Sequence, residues 1–164
     1  MYQKGKCMFT KFLTVFFVSM LPLAELRVAV PLAVGMKLPL VASYIICIIG
    51  NMLPVPFIYF FARKVLEWGA TKPLLEKPFT WILKKGEKGG EKLMAKVGRS
   101  TYVALFLFVG IPIPGTGAWT GTLAASILDL DFKKSVLAAL GGVLLAGIIM
   151  GVASSGVFSL IGLG

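Results

Sequence analysis

The sequence predicts an all-α integral membrane protein made of two broken, re-entrant helical hairpins, each followed by a transmembrane helix, in an inverted repeat. A basic amphipathic linker joins the halves. Three observations carry this expectation. The 164 residues are 57% hydrophobic and 15% charged, with a mean hydropathy of +0.89, against about 45–50% apolar and about 25% charged in ordinary soluble domains. The apolar residues gather in four blocks, 12–36, 38–61, 102–128 and 135–163. The first and third of these are interrupted in the middle by proline, glycine or charge.

The first block follows Lys4, Lys6 and Lys11 and imitates a secretory signal. Cleavage after Ala24 would place Pro22 at the −3 position, where a small residue is needed, so retention is expected. Its middle reads Pro22-Leu23-Ala24-Glu25-Leu26-Arg27-Val28-Ala29-Val30-Pro31, with the block's only two charges between two prolines. Each charge at mid-bilayer costs roughly 2.5–3.5 kcal/mol and each proline removes a backbone donor. A spanning helix would not contain this stretch, so Pro22 and Pro31 are expected as structural breaks. The second block is uncharged and, as a helix, reaches about 36 Å, enough to cross a hydrocarbon core of about 30 Å. Pro54 and Pro56 should kink or loosen its last turns. Asn51 is its one strongly polar side chain.

Ten of the seventeen Lys and Arg residues lie between Arg63 and Arg99. In a membrane protein such a cluster reads as a cytoplasmic loop able to hold anionic lipid headgroups, not as a nucleic-acid surface. Within linker 62–99, apolar residues alternate with Lys and Glu, and Pro73, Pro78 and Gly89-Gly90 cut it. Two readings fit equally: two short helices in the membrane interface with Trp68 and Trp81 at headgroup level, or a solvated cytoplasmic hairpin.

The third block carries Gly110-Ile111-Pro112-Ile113-Pro114-Gly115-Thr116-Gly117-Ala118-Trp119-Thr120-Gly121, with breaks at Pro112 and Pro114. The arms either side of both breaks are about 9–12 residues, too short to span and suited to re-entrant segments. Broken backbone at membrane depth is tolerated only where protein buries it or water reaches it, so two such segments predict an internal site. The fourth block is uncharged, and spacings such as Gly147-x-x-x-Gly151 permit close helix approach. A shift of 92 residues places Pro22 on Pro114 and Gly50 on Gly142, making 12–61 and 104–153 two versions of one order of features. The helix of the second half continues to about 163, and 1–164 is a single membrane domain. If the broken segments turn back, the halves are inverted and linker 62–99 and Lys133-Lys134 are cytoplasmic. If they cross fully, both termini are inside. The hairpin arrangement is preferred.

No His and only two cysteines exclude zinc sites and His-based catalysis, and no nucleophile–base set stands out. No enzyme activity, catalytic residue, metal or cofactor is expected. Glu25 and Arg27 support three readings: a structural ion pair, a proton or ion relay through a buried Glu25, or a substrate site in which the Arg27 fork binds an anion. The second tip bears on the choice. Gly115, Thr116 and Gly117 precede a helical arm whose free N–H groups suit phosphate or carboxylate, and Thr120 adds a hydroxyl. If the tips face one another, Arg27 and these amides could converge on one anion, with Glu25 tuning occupancy and Asn51 beside them.

The two tips, with the basic linker between them, resemble those of the small multidrug export protein family, which is remotely similar to the DedA-type membrane proteins. The resemblance implies re-entrant hairpins against spanning helices, a multi-pass bacterial inner-membrane location and a transport-like role. The DedA likeness adds lipid-linked phosphates as a substrate class. The expected function is a proton-linked exporter or flippase of an amphiphilic, anionic small molecule or lipid-linked phosphate, acting among membrane lipids and as a homodimer. The alternative is a non-transporting membrane scaffold or lipid-homeostasis protein acting through its basic interfacial linker.

Overall fold

The computed structural model describes residues 2–22, 24–72, 77, 80–81, 84, 101–113 and 115–160, and every regular element among them is an α-helix. Pro114 and most of linker 62–99, including its expected interfacial helices, lie outside the described residues. Helix α1 (Tyr2–Met20) leads into α2 (Glu25–Gly35), followed by α3 (Leu40–Met52) and α4 (Val55–Ala70). After the linker come α5 (Thr101–Gly110), α6 (Ala118–Ile127) and the long α7 (Phe132–Leu160).

Two stretches are long and apolar enough to cross a membrane, Leu40–Ala70 and Phe132–Val157. Between their charged ends these stretches turn apolar residues outward: Val41, Ile148 and Val152 are exposed, as suits a surface solvated by lipid. The first stretch is interrupted at Leu53 and Pro54, because Pro54 and Pro56 each remove an i→i−4 donor. It does not end where the charges begin. Helix α4 runs on past residue 62 to Ala70, carrying the start of the expected linker with it. Arg, Lys, Glu and Leu are all good helix formers, so charge ends the apolar block without ending the helix. The same reasoning explains α1, whose 19 residues reach back through Lys11, Lys6 and Lys4. Helix α7 starts three residues ahead of its apolar block, at an N-cap: the Asp131 carboxylate accepts the Lys134 N–H at 2.9 Å.

Pro31 does not break the chain. It sits inside α2, which continues through it to Gly35. The break is earlier, around Pro22 between the end of α1 at Met20 and the start of α2 at Glu25, so the two charges belong to the first turn of a helix and not to an extended tip.

Each broken segment is a pair of helices folded back on one another. Lys11 Nζ donates to Met36 O at 3.1 Å, which places the end of α2 beside the middle of α1. In the second pair the Asp131 N–H, just past α6, donates to the Tyr102 hydroxyl at the start of α5. Gly121 lets α6 approach α5, since a Cβ there would meet Val109 Cγ2 at 2.7 Å.

The two second arms end in the same cap. The Leu38 N–H donates to Ala33 O and the Lys37 N–H to Val34 O; the Leu130 N–H donates to Ala125 O and the Asp129 N–H to Ser126 O. These are the two bonds of a Schellman cap. Lys37 and Asp129 take the positive φ it needs, 56° and 49°. All four pairs of residues are separated by 92. Glycines at the same offset also share a job. A Cβ on Gly50 of α3 would lie 2.7 Å from Phe16 O of α1, and one on Gly142 of α7 would lie 2.7 Å from Phe106 O of α5. In each half, glycine lets the long helix pack against the carbonyls of the first arm.

Candidate functional site

The first tip delivers two opposite charges from one helix end. Glu25 opens α2 with φ of 50°, a conformation that costs a non-glycine residue roughly 1–2 kcal/mol. What holds it there is the second tip. The Glu25 carboxylate, only 5% exposed, accepts the Ala118 N–H at 3.3 Å and the Trp119 N–H at 3.1 Å. These are the first two residues of α6, whose N-terminal amides have no partner within the helix and carry its partial positive charge. The carboxylate therefore caps a helix in the opposite half of the chain.

Gly117 makes the approach possible. Its φ of 143° is open only to glycine. A Cβ there would also lie 2.6 Å from both Glu25 Cδ and Oε1. Gly115 differs. Its φ is 83°, but a Cβ would meet nothing within 4 Å, so it serves the turn alone.

Arg27, two residues on, faces the other end of the same tip. Its Nη1 donates to Ile113 O, and its Nη2 lies 2.7 Å from Thr116 Oγ1, 3.2 Å from Ile111 O and 3.4 Å from Val109 O. The Val109 carbonyl is one of the orphans at the C-terminus of α5, where a cation suits the helix dipole. The Thr116 hydroxyl lies 3.0 Å from Ile111 O and 2.8 Å from Ile113 O, so it knits the same carbonyls together. One helix start thus braces both ends of the second tip, the carboxylate on its amides and the guanidinium on its carbonyls. Glu25 and Arg27 direct their hydrogen bonds to that tip and not to each other.

The second tip reaches back. The indole N–H of Trp119 donates to Met20 O, the last residue of α1, at 3.1 Å. Trp119 stands 92 residues after Arg27, and each side chain donates to the carbonyls that end the first arm of the other half.

Of the residues expected at the site, Glu25, Arg27, Thr116 and Gly117 are brought together. The amides that face the carboxylate belong to Ala118 and Trp119, one step later than the expected 115–117. Gly115 is exposed in the turn. Thr120 is exposed, and its hydroxyl turns back to Gly117 O at 3.4 Å. Asn51 is 2% exposed inside α3, and its Oδ1 has no hydrogen-bond partner among the described residues. Residue typing passed over the Trp119 side chain and the backbone of Ala118; the 92-residue offset that pairs Trp119 with Arg27 could have found the first. Among the described residues no group of three or more His, Cys, Asp or Glu could hold a metal ion.

The family model described as "Putative small multi-drug export protein" matches residues 25–149, from Glu25 through both tips into α7. No curated protein and no solved structure matches the chain. With well over half of its length matched and two apolar helices able to cross a bilayer, the chain is a membrane protein that belongs to the small multi-drug export protein family.

Proposed function

We propose that the chain is a multi-pass, proton-linked transporter of an amphiphilic anion, an exported small molecule or a lipid-linked phosphate, with Glu25 as its coupling group. The observation that carries this reading is the Glu25 carboxylate seated on the α6 N-terminus. That seat suits any anion, and in this state the protein fills it with its own. Ionised Glu25 latches the tips. Protonation leaves a neutral carboxyl, a weaker acceptor with no charge to meet the helix dipole. The Ala118 and Trp119 amides then become open to an anionic head group, and Arg27 supplies a second, forked set of donors. Release of the proton to the other side returns the carboxylate to its seat.

The reading includes the topology. The helix pairs α1–α2 and α5–α6 are taken as re-entrant hairpins whose tips meet at membrane depth, in an inverted repeat. Support comes from the matching caps at Lys37 and Asp129, from Gly50 and Gly142, and from the reciprocal reach of Arg27 and Trp119. Such repeats with discontinuous helices at the midplane are a transporter design. Linker 62–99 is cytoplasmic in this reading. Two copies are proposed to associate, since so few full crossings enclose little space in one chain.

The test is reconstitution into liposomes with two assays, flip of a fluorescent polyprenyl phosphate and uptake of an anionic amphiphile driven by a pH gradient. Glu25→Gln is expected to lower activity by about a hundredfold, the usual scale for loss of one proton-transferring group, with Glu25→Asp intermediate. A well-folded Glu25→Gln protein as active as wild type would remove Glu25 from the mechanism. Wild-type protein inactive in both assays would favour the scaffold.

A further inference from the structure

We propose that the carbonyl-lined tip between α5 and α6 is a site for an alkali cation, Na⁺ or K⁺, whose place the Arg27 guanidinium takes in this state. The inference rests on the transporter reading and names an ion that moves with the substrate.

The tip is rich in acceptors. Pro112 and Pro114 have no backbone N–H, so between residues 111 and 116 carbonyls outnumber amide donors. Three carbonyl oxygens and one hydroxyl converge on a single guanidinium. Arg27 Nη2 lies 2.7 Å from Thr116 Oγ1, 3.2 Å from Ile111 O and 3.4 Å from Val109 O, and Nη1 donates to Ile113 O. Two of these carbonyls already have backbone partners: the Ile113 N–H donates to Ile111 O at 2.8 Å and the Thr116 N–H to Ile113 O at 3.1 Å. What the guanidinium adds to them is positive charge. The Val109 carbonyl, at the end of α5, brings the partial negative charge of a helix C-terminus to the same place.

In the proposed cycle Arg27 turns to the anionic head group, and the four oxygens lose their counter-charge together. A small cation drawn from water restores it. Unwound backbone carbonyls and half-helix C-terminal ends hold Na⁺ in this way where discontinuous helices meet. The donor set selects the charge of the ion. All four ligands are neutral, and the Glu25 carboxylate is engaged by the Ala118 and Trp119 amides. Calcium and magnesium sites draw on carboxylates, so a monovalent ion suits this cradle better than a divalent one. Ile111 and Ile113 are exposed, and Arg27 and Thr116 half-buried, so the cradle is not sealed inside the protein. Glu25 and Arg27 are then one device in two signs, each a tethered charge in a seat that a free ion can take.

The experiment melts the full-length Arg27→Ala protein in detergent, with NaCl or KCl titrated against choline chloride at constant ionic strength. With the guanidinium gone, at least one of the two ions is expected to raise Tm saturably, by about 5 °C at a hundredfold excess over its midpoint. The ion with the lower midpoint is the ligand. Wild type and Arg27→Lys, which keep a tethered cation, should not respond. Thr116→Val added to Arg27→Ala removes one ligand and should raise the midpoint at least about tenfold. Should Arg27→Ala fail to fold, Arg27→Gln, which keeps an amide donor without the charge, takes its place. Wild-type liposomes supply a second measurement: choline in place of Na⁺ and K⁺ on both faces should cut Glu25-dependent uptake at least about tenfold.

Uncharged variants that ignore both ions, or an equal rise of Tm in wild type, would overturn the proposal. A response to methylguanidinium alone would do the same, by showing a seat for the side chain only. So would uptake that is unchanged in choline. If the melts show no binding while Glu25-dependent uptake persists, only this inference falls. If the ions bind as expected and the liposomes transport nothing, it is the transporter reading that falls.

Discussion

The two halves of the chain agree where they are scaffold and part company at their tips. At an offset of 92 residues the caps after the second arms match bond for bond, and Gly50 and Gly142 admit the same kind of carbonyl contact. At the tips, Glu25 stands opposite Gly117 and Arg27 opposite Trp119. Only one half carries charge, and the other supplies bare amides and carbonyls to receive it. A structure that needed only two equal halves would have no use for this division. The asymmetry falls at the positions that the proposed transport cycle uses.

The sharpest way to probe that division is to remove the two reciprocal donors in turn. Arg27→Ala strips donors from three carbonyls and the Thr116 hydroxyl; Ile111 O and Ile113 O keep the Thr116 hydroxyl, so stability should fall by about 1.5–3 kcal/mol, the range for hydrogen bonds to a charged group. Arg27→Lys should recover only part, because an ammonium lacks the planar fork. Trp119→Phe removes a single bond to Met20 O and should cost about 1 kcal/mol. Thermal unfolding in detergent reads all three. Equal losses for Arg27→Ala and Trp119→Phe would erase the asymmetry.

The glycines of the second tip come next. Gly117→Ala meets both a forbidden φ and the Glu25 carboxylate, and should cost about 2–3 kcal/mol in the same melts. Gly115→Ala meets only its φ and should cost about 1–2 kcal/mol. On the scaffold side, Gly50→Ala and Gly142→Ala each press on a backbone carbonyl and should cost about 1–3 kcal/mol, alike in the two halves. The smallest effect has the opposite sign. Lys37→Gly and Asp129→Gly relieve a positive φ in a cap that favours glycine, and each should stabilise by up to about 1 kcal/mol.

Much of this arrangement is legible in the residues. Long uncharged blocks give the two apolar spans; proline with charge marks the first interrupted segment, and proline with glycine the second. Two charges where a bilayer penalises them point to a partner elsewhere in the chain, and Arg27 does meet Thr116 of the second tip. The pairing was not legible. An anion cradle made of Arg27 and the 115–117 amides treats the site as empty, whereas the chain's own carboxylate occupies the amides next along. Residue identity gives the charge of Glu25 but not the direction in which a φ of 50° aims it. Pro31 misled for a related reason, since a proline within a packed helix costs one hydrogen bond without ending the helix. Helix ends were also hidden wherever charge stopped the apolar pattern before the helix stopped, as in α1 and α4.

The central claim, that the Glu25 carboxylate sits on the α6 N-terminus at Gly117, is tested most directly by a double-mutant cycle between Glu25→Ala and Gly117→Ala, followed by unfolding in detergent. With the carboxylate gone, the added methyl at 117 has nothing to strike. The cost of Gly117→Ala should therefore fall by about 1–2 kcal/mol in the Glu25→Ala background, within the range expected for residues in contact. Costs that simply add, to within about 0.5 kcal/mol, would contradict it.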